Sequence, residues 1–324
     1  MSPGPTWWDC IESLNPCAQA SSGICTNKVR QRSIELPNEY TSRRLTKEDA
    51  NDLSFLLKQF FSVYPRCRTY LPVERIEQGL QNDWIAIGVF TETKSLIGCC
   101  VSRSLGLVKV PKGLVSDGGI VDWFSVHPSH RKKGIASFLL EELFYQTATH
   151  GRLVHFFLKE GFPLISLPPL YCGTYIVRTQ KRTRKSSDLS LASSQLVHVD
   201  YLPLKQFIAN IPTSFQQDST VFIFTKETHT VFLCITDLHC RTVPEGKSIG
   251  ELAWVLPMTP EVPLSIQIEA VETCIDTCHF SIVLMDSKIP HDGNKGWKQD
   301  SAYSWYSFNY RPETFFTSHP FWIM

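Results

Sequence analysis

The segment Val126-His127-Pro128-Ser129-His130-Arg131-Lys132-Lys133-Gly134-Ile135-Ala136 has the makings of a diphosphate cradle. An apolar run from Gly118 to Val126 reads as a strand ahead of it, and Ile135, Phe138, Leu139 and Leu143 fall on one helical face behind it. A helix that starts there presents unpaired backbone N–H groups and the positive end of its dipole, both of which favour a phosphate. Arg131, Lys132 and Lys133 add charge at that point, while Gly134 and Ala136 keep bulk away from it. The plainer alternative is a surface helix whose first turn is basic; the strand-loop-helix setting favours the cradle. A second feature is the apolar end of the chain, Pro320-Phe321-Trp322-Ile323-Met324, an unusual composition for a solvated terminus.

The elements that must position the cradle lie on either side of it. Leu53, Leu56, Leu57 and Phe60 recur at helical spacing after Thr46, an N-cap type, so Thr46 to Gln59 is expected to be an amphipathic helix, with a shorter one at Val73 to Leu80. Trp84 to Glu92 and Ser95 to Ser102 read as a hairpin turned at Thr93-Lys94, and Leu153 to Leu158 as the strand that completes a βαβ crossover. The basic stretch Arg178 to Ser187 is expected to be a solvated connecting loop. Beyond it the order of elements recurs: a helix near Leu202 to Ala209, a hairpin of Thr220 to Thr225 with Thr230 to Asp237, a strand Glu251 to Leu256, a helix Pro263 to Cys278 and a strand Phe280 to Met285. This suggests an internal duplication in which Met258-Thr259-Pro260-Glu261-Val262-Pro263 stands where the first copy has Arg131 to Ala136. The second copy therefore lacks the cradle.

The bulk properties exclude several classes. A chain of 324 residues exceeds one ordinary core, and 43% hydrophobic with 19% charged residues is globular rather than disordered. Lys+Arg 32 against Asp+Glu 31 leaves a net charge of +1, which gives no reason to expect a nucleic-acid partner. No leader or spanning segment is evident, so a soluble cytoplasmic protein is expected, with at most peripheral membrane contact, acting as a monomer. The 11 cysteines are scattered, and several (Cys99, Cys100, Cys234) sit in apolar runs as small hydrophobes. Cys274 and Cys278 lack a His pair at zinc-ligand spacing, and no metal is assigned.

The cradle resembles motif A of the GNAT acyltransferases. Asp122-Trp123-Phe124-Ser125-Val126-His127, with Arg131-Lys132-Lys133 and Ile135-Ala136, is more specifically similar to the corresponding segment of the glycylpeptide N-myristoyltransferases. Thr6-Trp7-Trp8-Asp9, Val29-Arg30-Gln31, Leu36-Pro37, Trp84 with Gly88-Val89, Cys172, Tyr175, Arg178 and Tyr303 to Arg311 resemble further segments of that family, in the same order. The likeness implies an α/β fold with a mixed sheet, made of two tandem GNAT-like units. The expected boundaries are an N-terminal arm at 1–42, an acyl-CoA-binding domain at 43–180 and a degenerate acceptor-side domain at 181–324.

It also implies a site. Acyl-CoA, as myristoyl-CoA or acetyl-CoA, would be the co-substrate, held by Trp7, Trp8, Val126, Arg131, Lys132, Lys133, Gly134, Ile135 and Ala136. The backbone amides of Trp123 and Phe124 would stabilise the thioester oxygen, and the α-carboxylate of Met324 would be the base that deprotonates the N-terminal glycine amine of a protein or peptide acceptor. A bulged strand would separate working amides from ordinary sheet amides. Departures from the family are Asp122 in place of its Asn, Pro128 and Ser129 in place of two lysines, and Gln299-Asp300-Ser301 in place of its Gly-Asp-Gly signature. An acetyl-CoA-dependent GNAT acetyltransferase and a non-catalytic acyl-CoA or lipopeptide binder are the two alternatives.

Overall fold

The computed structural model describes residues 23–24, 32–61, 67–109, 115–161, 163, 167, 169–180, 194–199, 218–259 and 261–311. Trp7, Trp8, Met324 and the expected helix near Leu202 lie outside them. The chain divides into two compact units. One holds the described residues up to Cys172 and those from Ser304 onward, and the other the described residues from Gly173 to Tyr303.

In the first unit β1 (Tyr40–Arg44) leads to a 3-10 turn, Lys47–Asp49, and then to α1 (Ala50–Phe60). The Asp49 carboxylate accepts from the Thr46 N–H at 2.9 Å and from Arg43 Nη1 and Nη2 at 2.6 Å each, so the helix start is tied to the strand that precedes it. Next come α2 (Val73–Asn82), β2 (Trp84–Thr91), β3 (Leu96–Lys109), β4 (Val115–Val126), α3 (Ile135–Thr149) and β5 (Arg152–Glu160). β1 to β4 pair antiparallel in that order, and β4 pairs parallel with β5. The end of β12 (Lys298–Phe308) lies on the far side of β5.

Strand alternation sorts the core into two layers. Ile85, Ile87 and Val89 of β2 join Ile135, Phe138, Leu139 and Leu143 of α3 on one face. Trp84 and Ala86 join Leu53, Leu56 and Leu57 of α1 and Ile76 and Leu80 of α2 on the other. Each such buried Leu, Ile, Val or Phe side chain is worth roughly 1.5–3 kcal/mol before ordering costs. The α3 face is thus the one its apolar spacing forecast, and burial of that face fixes where the helix begins.

The second unit follows the same plan. β6 (Tyr171–Thr179), of which all but the first two residues belong here, pairs antiparallel with β11 (Ile282–Asp286). β7 (Ser194–Val199), β8 (Ser219–Lys226), β9 (His229–Thr242) and β10 (Ser248–Pro257) pair antiparallel in succession, and β10 pairs parallel with β11 across α4 (Leu264–Thr277). One local expectation is corrected. Arg178 and Thr179 are strand residues of β6 and not loop, because the Arg178 guanidinium pairs with the buried Glu272 and with Asp276 on α4. Among the described residues no helix is long and apolar enough to cross a membrane.

Candidate active site

β4 breaks its pairing with β3 at one place. Cys99 faces Ser125 and Val101 faces Asp122, so Trp123 and Phe124 together stand opposite Cys100. This is a β-bulge. Its effect on side-chain direction is visible in the core, because Val121 and Trp123, two residues apart, fall on opposite faces of the sheet. Trp123 carries φ +46, a left-handed conformation that costs a non-glycine residue on the order of 1–3 kcal/mol unless its surroundings hold it. They do hold it. Trp123 is tilted against Trp84 at 4.5 Å, the Cys99 thiol donates to the Trp123 carbonyl at 3.2 Å, and the Trp123 N–H donates to Asp122 Oδ1 at 2.8 Å. Arg103 grips the other Asp122 oxygen at 2.6 Å and lies over the Trp123 ring at 4.8 Å.

A second departure from regular sheet coincides with the first. The parallel ladder of β4 with β5 runs from Asp117↔Arg152 to Ile120↔Phe156 and stops there, although both strands continue. β4 therefore leaves its neighbour just before the bulge.

The loop after β4 opens the cradle. His127 N–H donates to the Ile97 carbonyl at 2.8 Å, closing the sheet, and a 3-10 turn Pro128–His130 follows. Arg131, Lys132, Lys133 and Gly134 are all exposed, and no acidic residue lies in the first turn of α3. Arg131 Nε donates to the Val126 carbonyl at 3.0 Å, which anchors its guanidinium at the strand end. Gly134 is the N-cap at φ +78, with no atom within 4 Å of where a Cβ would stand, so glycine serves the backbone conformation there and not close packing. Ile135 and Val126 are buried and Ala136 packs on the same core, so what these three can offer a ligand is backbone. Lys133 is turned elsewhere: its ammonium donates to the Tyr40 hydroxyl at 2.9 Å and to Glu39 at 3.3 Å.

Sequence reasoning did not foresee a cavity of about 460 Å³ beside this loop, lined by Phe55, Phe60, Thr93, Leu96, His127 and His130 among others. Lysine only donates, so the Tyr40 hydroxyl accepts from Lys133, and the same hydroxyl is hydrogen-bonded to His130 Nδ1 at 2.9 Å. Burial, with His127 and Lys133 nearby, holds the His130 imidazole below its ordinary pKa. Glu141 was also missed. It is a buried carboxylate on α3 that accepts from Ser33 N–H at 2.8 Å, Ser33 Oγ at 2.7 Å and Ile34 N–H at 2.6 Å, and so fixes the incoming chain to the helix. An acid inside an apolar helical face was the available signal.

A cation-rich helix mouth without a side-chain cap thus follows a bulged strand that parts from its parallel neighbour. Residues 53–161 match the family model described as the Acetyltransferase (GNAT) family. The mixed α/β fold of this chain is the GNAT acyltransferase fold. Within that class it resembles N-myristoyltransferase. The Saccharomyces cerevisiae N-myristoyltransferase with bound myristoyl-CoA superposes with a TM-score of 0.62 at 13% identity, covering 90% of this chain and 89% of that one. A second structure of that enzyme, with bound myristoyl-CoA and inhibitors, gives 0.61 at 13% identity, covering 88% and 83%. No curated protein sequence matches the chain.

Proposed function

We propose that this chain is an acyl-CoA-dependent N-acyltransferase that moves a fatty acyl group, myristoyl first among them, from CoA to the N-terminal glycine amine of a protein or peptide. The observation that carries the reading is the coincidence on β4 of the bulge at Trp123–Phe124 with the end of the β4–β5 ladder at Ile120↔Phe156, one loop away from the exposed mouth of α3. The diphosphate would lie on the first amides of α3 with Arg131 and Lys132, and the acyl carbonyl at the bulge. The amine nitrogen then bonds to the carbonyl carbon, the carbonyl oxygen takes the negative charge, the C–S bond breaks and the CoA thiolate leaves, taking up a proton. Backbone donors at the developing oxyanion contribute on the order of 3 kcal/mol each. The Met324 α-carboxylate remains the proposed base, and Trp7 and Trp8 remain proposed CoA contacts; all three lie outside the described residues.

The test is mass spectrometry of a Gly-starting peptide incubated with the purified chain and a series from acetyl-CoA to palmitoyl-CoA. A mass gain of one acyl group on the terminal amine is expected, greatest with myristoyl-CoA. Transfer confined to acetyl-CoA would move the reading to an acetyltransferase, and no transfer from any donor would reject catalysis. One observation favours a binder without turnover: the Trp123 N–H is already engaged by Asp122. Transfer by the intact chain separates the two, and loss of its last four residues, Phe321 to Met324, should then abolish that transfer while acyl-CoA binding stays in place if the tail supplies the base.

A further inference from the structure

The Trp123 peptide is held at both ends by its neighbours, its carbonyl by the Cys99 thiol and its N–H by Asp122 Oδ1. The second contact is unusual in kind. A neutral acceptor would be enough to satisfy one N–H and would hold it less tightly, yet the chain places a charge there and then supplies Arg103 at 2.6 Å to balance it. The pair is secluded, with side chains 14% and 27% exposed, so solvent screens it only partly. An oxyanion that takes up the Trp123 N–H must displace this carboxylate or settle beside it. Either way a like charge stands next to the atom where negative charge develops, and it opposes the stabilisation that the amide would give.

We propose that Asp122 is the positioning residue that sets the turnover of this site: its carboxylate masks the Trp123 amide and must yield that N–H before the thioester can react. The inference deepens the acyltransferase reading and rests on it. Arg103 is the natural place for the released carboxylate to remain, because the guanidinium already holds the other oxygen. Binding of the CoA portion depends on the mouth of α3 and not on this amide, so the effect belongs in kcat and not in acyl-CoA affinity.

The experiment compares wild type with Asp122→Asn and Asp122→Ser, following release of the CoA thiol with a Gly-starting peptide and measuring myristoyl-CoA binding separately by calorimetry. Asp122→Asn keeps an acceptor for the Trp123 N–H but removes the charge beside the oxyanion and weakens the hydrogen bond that must be given up, and it is expected to raise kcat about tenfold or more, equivalent to about 1.4 kcal/mol, with KM for acyl-CoA within about twofold. Asp122→Ser should change kcat in the same direction. Unchanged or lower kcat in both variants, with binding intact, would overturn the proposal. So would loss of fold and binding in both, which would make the carboxylate a structural clasp. A wild type that binds no acyl-CoA at all would sink the acyltransferase reading itself, and this calorimetric arm keeps the two failures apart.

Discussion

Two titratable residues outside the site carry opposite signatures. His155 on β5 is 1% exposed, neither ring nitrogen has a hydrogen-bond partner among the described residues, and burial, helped by Arg152, pulls its pKa down to about 3. The unfolded chain takes up that proton near 6.5, so the folded state keeps the benefit of a neutral ring above that pH and loses it as pH falls from 6.5 toward 3. The slope from this residue is at most about 1.4 kcal/mol per pH unit. His155→Leu removes two unsatisfied polar atoms, each worth about 1–3 kcal/mol when buried without a partner. Urea titrations at pH 7 and pH 5 should show the variant as stable as wild type or more so at pH 7, with a shallower acid decline; an unchanged decline would remove His155 as its source. Glu251 behaves in reverse. Burial pushes its carboxyl up to about 7, against a hydrogen bond from Tyr175 at 3.0 Å that lowers it and a nearby Asp286 that raises it. Its folded pKa lies above the unfolded 4.5, so its contribution is complete below 4.5 and is lost as pH rises through 7. Glu251→Gln keeps an acceptor for Tyr175 and should flatten the decline between pH 5 and pH 8 in the same titration.

At the level of elements the cradle depends on the turn between β4 and α3. Lys132 at φ +63 and Gly134 at φ +78 are both left-handed, and only the second is a residue type that adopts this freely. Gly134→Val has open space around it but not the backbone freedom, so it should cost on the order of 1–2 kcal/mol of stability and reorient the first amides of α3. The expected result is a lower melting temperature together with acyl-CoA binding weakened at least about tenfold. Weakened stability with unchanged binding would mean that phosphates do not rest on those amides. The turn and helix were legible because charge, glycine and the spacing of Ile135, Phe138, Leu139 and Leu143 all marked one boundary. The bulge was legible only as a question. Val121-Asp122-Trp123-Phe124-Ser125-Val126 alternates apolar with polar except at the adjacent Trp123 and Phe124, and that slip in phase is the mark of an extra residue. The Asp122–Arg103 pair and the engagement of Lys133 by Tyr40 and Glu39 had no local sequence signal, because the partners are distant in the chain.

Across the molecule, the two units repeat the plan down to the irregularity. In the second, β10 runs parallel with β11 from Ile249↔Ile282 to Leu252↔Met285, and just beyond, where Ile235 faces Leu252 and Cys234 faces Trp254, it carries a bulge at Ala253. The helix that follows differs where it matters. Its N-cap is Pro263, which has no N–H to give, Glu261 precedes it at φ +58, and Leu264 in the first turn is 61% exposed. A phosphate at α4 would meet an acid and an apolar side chain where at α3 it meets Arg131 and Lys132. The duplicated fold therefore predicts a single acyl-CoA per chain. Calorimetric titration with myristoyl-CoA should give a stoichiometry of one, and the double substitution Arg131→Ala with Lys132→Ala should weaken that one event about tenfold or more while the chain stays folded, losing no more than the Arg131–Val126 hydrogen bond, about 0.5–1.5 kcal/mol. A second binding event that survives the double substitution would place a phosphate site in the second unit and show that a proline-capped, acid-flanked helix start can hold one after all.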